Sequence, residues 1–170
     1  GNVDSKFGNA IVTGQAMDIV KKAIAADGIC LAGLHCHIGS QIFDIQPFAD
    51  AADIMVRFIS QIKSECGFEI EELNLGGGLG VPYTDSDPRI DYAQAIADIA
   101  AVVTGYCKEH GIKTPLVRLE PGRSIVAAAG ITLYTVGSIK QIPGFKNYIS
   151  IDGGMPDNPR YALYQSRYTA

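Results

Sequence analysis

The chain has 170 residues, a formal net charge of -4, 47% hydrophobic and 19% charged residues, which suits one globular domain or part of a larger one. The negative balance gives no general attraction to a phosphate backbone and argues against nucleic acid, and no run approaches the roughly 18 apolar residues of a membrane helix. The cysteines Cys30, Cys36, Cys66 and Cys107 form no Cys-x-x-Cys pair, and no signal-peptide pattern opens the chain, so we expect a reduced, cytoplasmic protein.

Gly1 to Gly8 is polar and glycine-bearing and reads as a loop. Gln15 to Ala26 places Met17, Val20, Ala23 and Ile24 at helical spacing, with Gly28 as a stop. A first strand is predicted over residues 30–38. Gln46 to Cys66 follows as a helix with Phe48, Ala52, Met55, Ile59 and Ile62 on one face and Gly67 after it. Residues 72–75 form a second strand, and Pro82 to Pro88 is a loop dense in turn formers. Asp91 to His110 is a third helix with Ile96, Ile99, Val103 and Cys107 in register, and Leu116 to Glu120 is a third strand. Strands separated by long amphipathic helices make a βαβ pattern, as in a (β/α) barrel or an open parallel sheet. Beyond Ala129 the character changes. Gly130 to Ile142 and Lys146 to Asp152 are β-branched and aromatic with no helix between, so we expect residues 1–129 to form one domain and 130–170 to begin an antiparallel β domain.

The three predicted strands all end in chemically loaded loops. The first ends at His35, His37 and Ser40; the second runs into Gly76-Gly77-Gly78 and Gly80; the third stops at Glu120-Pro121-Gly122-Arg123. Parallel α/β folds build their sites at these carboxyl ends. Two readings of the glycine run stand side by side: a flexible turn, or a corner where an anion approaches backbone N–H groups. It matches neither Gly-x-Gly-x-x-Gly nor a P-loop. His35 and His37, two apart on a predicted strand, project to one face. They lack a third ligand at metal spacing, so no metal site is expected, and they serve either a structural role or stacking on a flat cofactor. Glu120 is a surface acid, or a partner for Arg118 or Arg123, or a carboxylate that holds a ring nitrogen protonated. The planar fork of Arg123 suits an anionic group.

Four segments together carry a resemblance: His35-Cys-His-Ile-Gly-Ser-Gln41, Leu73-Asn-Leu-Gly-Gly-Gly-Leu-Gly-Val-Pro-Tyr83, Glu120-Pro-Gly-Arg-Ser124, and Asp152-Gly-Gly-Met-Pro-Asp-Asn-Pro-Arg-Tyr-Ala-Leu-Tyr164. In this order they resemble the diaminopimelate decarboxylases, within the fold type III pyridoxal-phosphate decarboxylases. The resemblance implies an α/β fold, part of a (β/α)8 TIM-type barrel of the alanine-racemase kind, followed by the first strands of a C-terminal β domain. It also implies pyridoxal 5'-phosphate as cofactor. His37 would stack on its ring, and Ser40 with Gly76, Gly77 and Gly78 would bind its phosphate. Glu120 would pair with the ring nitrogen, beside Pro121, Gly122 and Arg123. Arg123, Arg160 and Tyr164 would hold the distal end of an amino-acid substrate. The implied reaction removes CO₂ from meso-diaminopimelate to give L-lysine, in a homodimer with shared active sites.

The chain also departs from that family. Its Schiff-base lysine, in a Tyr-x-x-Lys-Ala-Asn-type motif, has no counterpart here, and Lys6 lies in another setting. The proton-donating cysteine of a Cys-Glu-Ser-Gly-Asp-type motif is missing too, since all four cysteines fall before residue 130. We therefore expect an internal segment without either catalytic end, inactive alone, and with unpaired strand edges that favour self-association. Two alternatives stay open on the same scaffold: a decarboxylase of another basic amino acid, of the ornithine, arginine or carboxynorspermidine type, and a cofactor-binding homologue without chemistry.

Overall fold

Glycines and a proline fix where the helices begin and end. In the computed structural model, which describes residues 6–168, helix α2 spans Gln46–Cys66 with Pro47 in its first turn. It stops at Gly67, whose φ of 64° turns the chain left-handed while its N–H caps the Lys63 carbonyl. Helix α3, Tyr92–His110, ends the same way at Gly111, and its start is capped by Asp91, whose side chain accepts the Gln94 N–H. Asp91 is thus the cap rather than the first helical residue. Helix α1 covers Gln15–Ala25, one residue less than the pattern suggested. The first five residues of the loop expected over Gly1 to Gly8 lie outside the described part.

Three short strands alternate with these helices: β1 Gly33–His35, β2 Glu72–Asn74 and β3 Leu116–Arg118. They form a parallel sheet in the order β1-β2-β3, with Leu34, Leu73 and Val117 side by side. The connectivity is α/β, as expected. The strands are shorter than the runs predicted over 30–38, 72–75 and 116–120. At the carboxyl end of β1 the last bond to β2 runs from Cys36 N–H to the Asn74 carbonyl at 2.9 Å, and β2 then turns at Gly76, whose φ is 68°. His37 therefore lies past the end of β1, and alternation along a strand does not set its direction.

The core lies between this sheet and helices α1, α2 and α3. Phe48, Ala52, Met55, Ile59 and Ile62 all face it, as their spacing required, and Leu73 from the central strand is fully buried against them. Burying each of the larger side chains among these contributes about 1.5–3 kcal/mol. The stripe on α3 differs from the prediction. Ala95, Ile99, Val103 and Cys107 are buried, whereas Ile96 is 47% exposed. Ala95 continues the four-residue ridge that runs through Ile99 and Val103, and Ile96 sits a further 100° round the helix. On α1 only Met17 and Val20 are buried, because this helix meets the rest along a narrow contact, and Ile24 remains 37% exposed.

Across the sheet surface Arg118 grips Glu72 two-handed, Nε and Nη2 each 2.6 Å from a carboxylate oxygen. This bond holds the Glu72 carboxyl below its usual range. A depressed folded-state pKa stabilises the protein above the unfolded value, about 4.3, and that share is lost as pH falls. The expected result is that wild type melts above Glu72→Gln at pH 7 and that the gap closes below about pH 4. A gap that persists at pH 3 would show that packing, not charge, distinguishes the two.

The chain divides into two compact units. One runs to Val81 and resumes over Pro88–Ile125; the other comprises Pro82–Asp87 and everything from Val126 onward. In the second unit β4 (Val136–Gln141) and β5 (Asn147–Ile151) pair antiparallel, with an irregularity between Val136 and Ile139. The side chain of Asp152 accepts the Thr135 N–H at 2.8 Å and pins one end of this ribbon. A short helix, α5, forms over Arg160–Tyr164, where the sequence offered only loop residues. Arg123–Val126 makes a single helical turn, α4, followed in the chain by a 3₁₀ turn over Ala127–Ala129.

Candidate functional site

The tips of β1, β2 and β3 meet because three consecutive glycines let them. A side chain added at Gly76 would lie 2.7 Å from the Cys36 carbonyl oxygen and 3.0 Å from the His37 ring. One at Gly77 would overlap the Glu120 carbonyl, and one at Gly78 the Gly39 carbonyl. The run is therefore neither a loose turn nor only an anion corner. It is the place where the loops after β1 and β3 close on the loop after β2. Hydrogen bonds then fasten the corner. Glu120 N–H donates to the Gly76 carbonyl at 2.7 Å, Leu75 N–H to Arg118 at 3.0 Å, and Ile42 N–H to Gly78 at 3.0 Å. Gln41, at a φ of 58°, imitates a strand neighbour: its side-chain amide both donates to the Val81 carbonyl and accepts the Val81 N–H.

Above this corner opens a cleft of about 210 Å³. Of the residues singled out in the sequence, His37, Ser40, Gly77, Gly78, Glu120, Gly122 and Arg123 line it. Gly76 lies buried behind His37 and Pro121 sits exposed beside Glu120, neither on the lining. Arg160 and Tyr164 belong to the second unit, as the first and last residues of α5. Sequence reasoning missed Leu79 and Ser124, which complete the wall. Ser124 follows Arg123 in the quoted motif and is the kind of hydroxyl an anion-binding corner recruits, so the signal was there to use.

The cleft carries a definite distribution of charge. Glu120 presents a carboxylate whose Oε1 accepts from Asn74 Nδ2 at 2.8 Å and whose Oε2 lies 3.6 Å from His35 Nε2. Arg123 brings a guanidinium, while Ser40 and Ser124 bring hydroxyls. Cys36, set between the two histidines in sequence, takes no part: burial pushes its thiol up, away from the reactive thiolate. All four cysteines are free. Among the described residues no cluster of three or more His, Cys, Asp or Glu is placed to hold a metal ion, and no helix is long and apolar enough to cross a membrane.

This donor set fits one kind of ligand well. A flat ring with a ring nitrogen at one edge and an anionic arm needs a carboxylate near the nitrogen. It also needs a broad face to stack on, and hydroxyls, bare backbone and a cation for the arm. Groups of these kinds line the one cleft: the Glu120 carboxylate, the His37 imidazole, the Ser40 hydroxyl, the backbone of Gly77 and Gly78, and the Arg123 guanidinium.

Comparison with known proteins points the same way. Residues 1–127 match the family model described as pyridoxal-dependent decarboxylase, pyridoxal binding domain. A diaminopimelate decarboxylase of Halalkalibacterium halodurans is 45% identical over 168 residues, 99% of this chain and 38% of that protein. The one from Bacillus subtilis is 42% identical, over 100% of this chain and 39% of that protein. The chain thus spans under two fifths of the length of these relatives. Among solved structures, diaminopimelate decarboxylase from M. jannaschii in co-complex with L-lysine superposes with a TM-score of 0.88 at 37% identity, covering 98% of this chain and 37% of that one.

Proposed function

The chain belongs to the pyridoxal-dependent decarboxylases, through their pyridoxal-binding domain, and from that premise we propose that the whole protein decarboxylates meso-diaminopimelate to L-lysine with pyridoxal 5'-phosphate. The observation that carries this reading is the convergence of Glu120, His37, Ser40, the glycine corner and Arg123 on one cleft at the carboxyl ends of three parallel strands. Identities of 40–45% to diaminopimelate decarboxylases along nearly all of this chain favour that substrate over other basic amino acids. The parallel βαβ order supports assigning residues 1–129 to the later part of a (β/α)8 barrel and 130–170 to the start of a β domain. We assign the whole protein to the cytoplasm as a homodimer with shared active sites.

Each residue then has a physical task. His37 offers its imidazole face to the ring. Ser40, Gly76, Gly77 and Gly78 hold the phosphate, with Pro121 and Gly122 shaping that side and Arg123 serving phosphate and substrate. Glu120 keeps a proton at the ring nitrogen. When bound, the protonated ring delocalises the electron pair left by departing CO₂. The protein's own share is orientation: fixed groups hold the breaking bond in its productive geometry instead of leaving it to diffusion.

Arg160 and Tyr164 are assigned to the distal end of the substrate, where a carboxylate distinguishes diaminopimelate from lysine. The test uses the whole protein, supplied with pyridoxal 5'-phosphate and meso-diaminopimelate, and follows lysine. Wild type should form lysine, and Arg160→Ala should lower kcat/KM on the order of 100-fold by losing a charge-paired hydrogen bond, mostly through KM. Wild type that yields no lysine would refute the substrate. An unaffected Arg160→Ala would leave the reaction and remove Arg160 from its recognition.

A further inference from the structure

Asn74 has no task in the scheme above, yet both ends of its amide are engaged. It closes β2 between the buried Leu73 and Leu75, at a strand position where asparagine is disfavoured. Its Oδ1 accepts the Gly76 N–H at 2.8 Å, and its Nδ2 donates to Glu120 Oε1 at 2.8 Å. The orientation follows from chemistry, since a backbone N–H only donates and a carboxylate only accepts; the flipped amide would oppose both partners. The pairing of β2 with β3 does not need this amide, because Leu75 N–H to Arg118 and Glu120 N–H to Gly76 already join the two tips. What the amide adds is a direction for one carboxylate oxygen. Oε1 is taken, and Oε2 is left beside His35 at 3.6 Å.

Resting on the cofactor reading, we propose that Asn74 is a positioning residue: its amide couples the Glu120 carboxylate to the glycine corner, so that the group meant for the ring nitrogen and the backbone meant for the phosphate are held as one piece. A cofactor that spans the two ends then meets a spacing already set, rather than ordering a free carboxylate on arrival. Among the described residues, titratable or charged groups near Glu120 and Asn74 include His35 at the end of β1, His37 on the loop after it, Arg123 on the loop of Glu120 itself, and Arg118 on β3, in register with Asn74 and already paired with Glu72.

Asn74→Asp separates coupling from packing. Aspartate keeps the size and the acceptor for Gly76, but it donates to Glu120 only while one proton is shared between the two carboxyls. At low pH that shared proton restores the bond; as pH rises both ionise and repel, and Glu120 swings away. The measurement is the dissociation constant of pyridoxal 5'-phosphate from the whole protein, by equilibrium dialysis from pH 5 to 8, beside the melting temperature of each cofactor-free form. Asn74→Asp should bind nearly as wild type does at pH 5 and about tenfold more weakly at pH 8, with Asn74→Ala weaker throughout. A loss in Asn74→Asp that is the same at every pH, or no loss in either variant, overturns the coupling. Wild type that holds no cofactor overturns both the coupling and the reading beneath it.

Discussion

Glu120→Gln should lower kcat for diaminopimelate decarboxylation on the order of 100- to 1,000-fold and leave KM nearly unchanged. Glutamine keeps the length of the side chain and an oxygen that accepts from Asn74 Nδ2, now at 2.8 Å from Glu120 Oε1. The orientation therefore survives, while the atom left for the ring nitrogen becomes an amide NH₂, which carries no charge and accepts no hydrogen bond. On the proposed reading a proton at the ring nitrogen would then no longer be held, and the bound ring would be a poorer sink for the electron pair left by CO₂. This interaction matters more in the transition state than in the bound ground state, which is why kcat and not KM carries the loss. The measurement is steady-state kinetics on the whole protein saturated with cofactor. A variant with wild-type kcat would place Glu120 away from the ring nitrogen and leave it as a surface acid.

The helices were legible in the sequence because their signals are local. Gly67 and Gly111 stop α2 and α3 by a backbone geometry that glycine adopts without strain, and Phe48 to Ile62 mark the buried face by spacing alone. The strands were legible in order but not in length. Where a ladder ends depends on the neighbouring strand, and the last bond of β1 to β2, from Cys36 N–H to the Asn74 carbonyl, comes just before the turn at Gly76. The sequence of the glycine run suits a flexible turn as well as a corner for an anion; its tightest demand, the approach of Glu120 and Gly39 carbonyls, is a contact between segments some forty residues apart and has no local trace. Asn74 escaped notice for the same reason, since its partner Glu120 lies 46 residues on. Its one local signal was a polar residue between two leucines in a buried strand.

Gly77→Ala is the substitution for which that close approach predicts the largest structural effect. Gly77 is not among the glycines with positive φ, so an alanine there meets no backbone penalty of its own. Its methyl group, however, would overlap the Glu120 carbonyl oxygen and press on the carbonyl carbon 3.1 Å away. The obstacle is backbone, so no rotamer relieves it, and the loops after β2 and β3 must spread. Overpacking of this kind costs about 1–3 kcal/mol, and the Glu120 N–H bond to Gly76 lies directly beside the clash. The melting temperature and the affinity for pyridoxal 5'-phosphate should therefore fall together. Gly105→Ala supplies the control: it lies inside α3, where an added methyl meets nothing within 4 Å. There alanine should stabilise by about 0.5–1 kcal/mol through helix propensity, with cofactor affinity unchanged. If Gly77→Ala melts and binds as wild type does, the corner yields more readily than its geometry implies, and the glycine is there for the anion rather than for the approach of the chains.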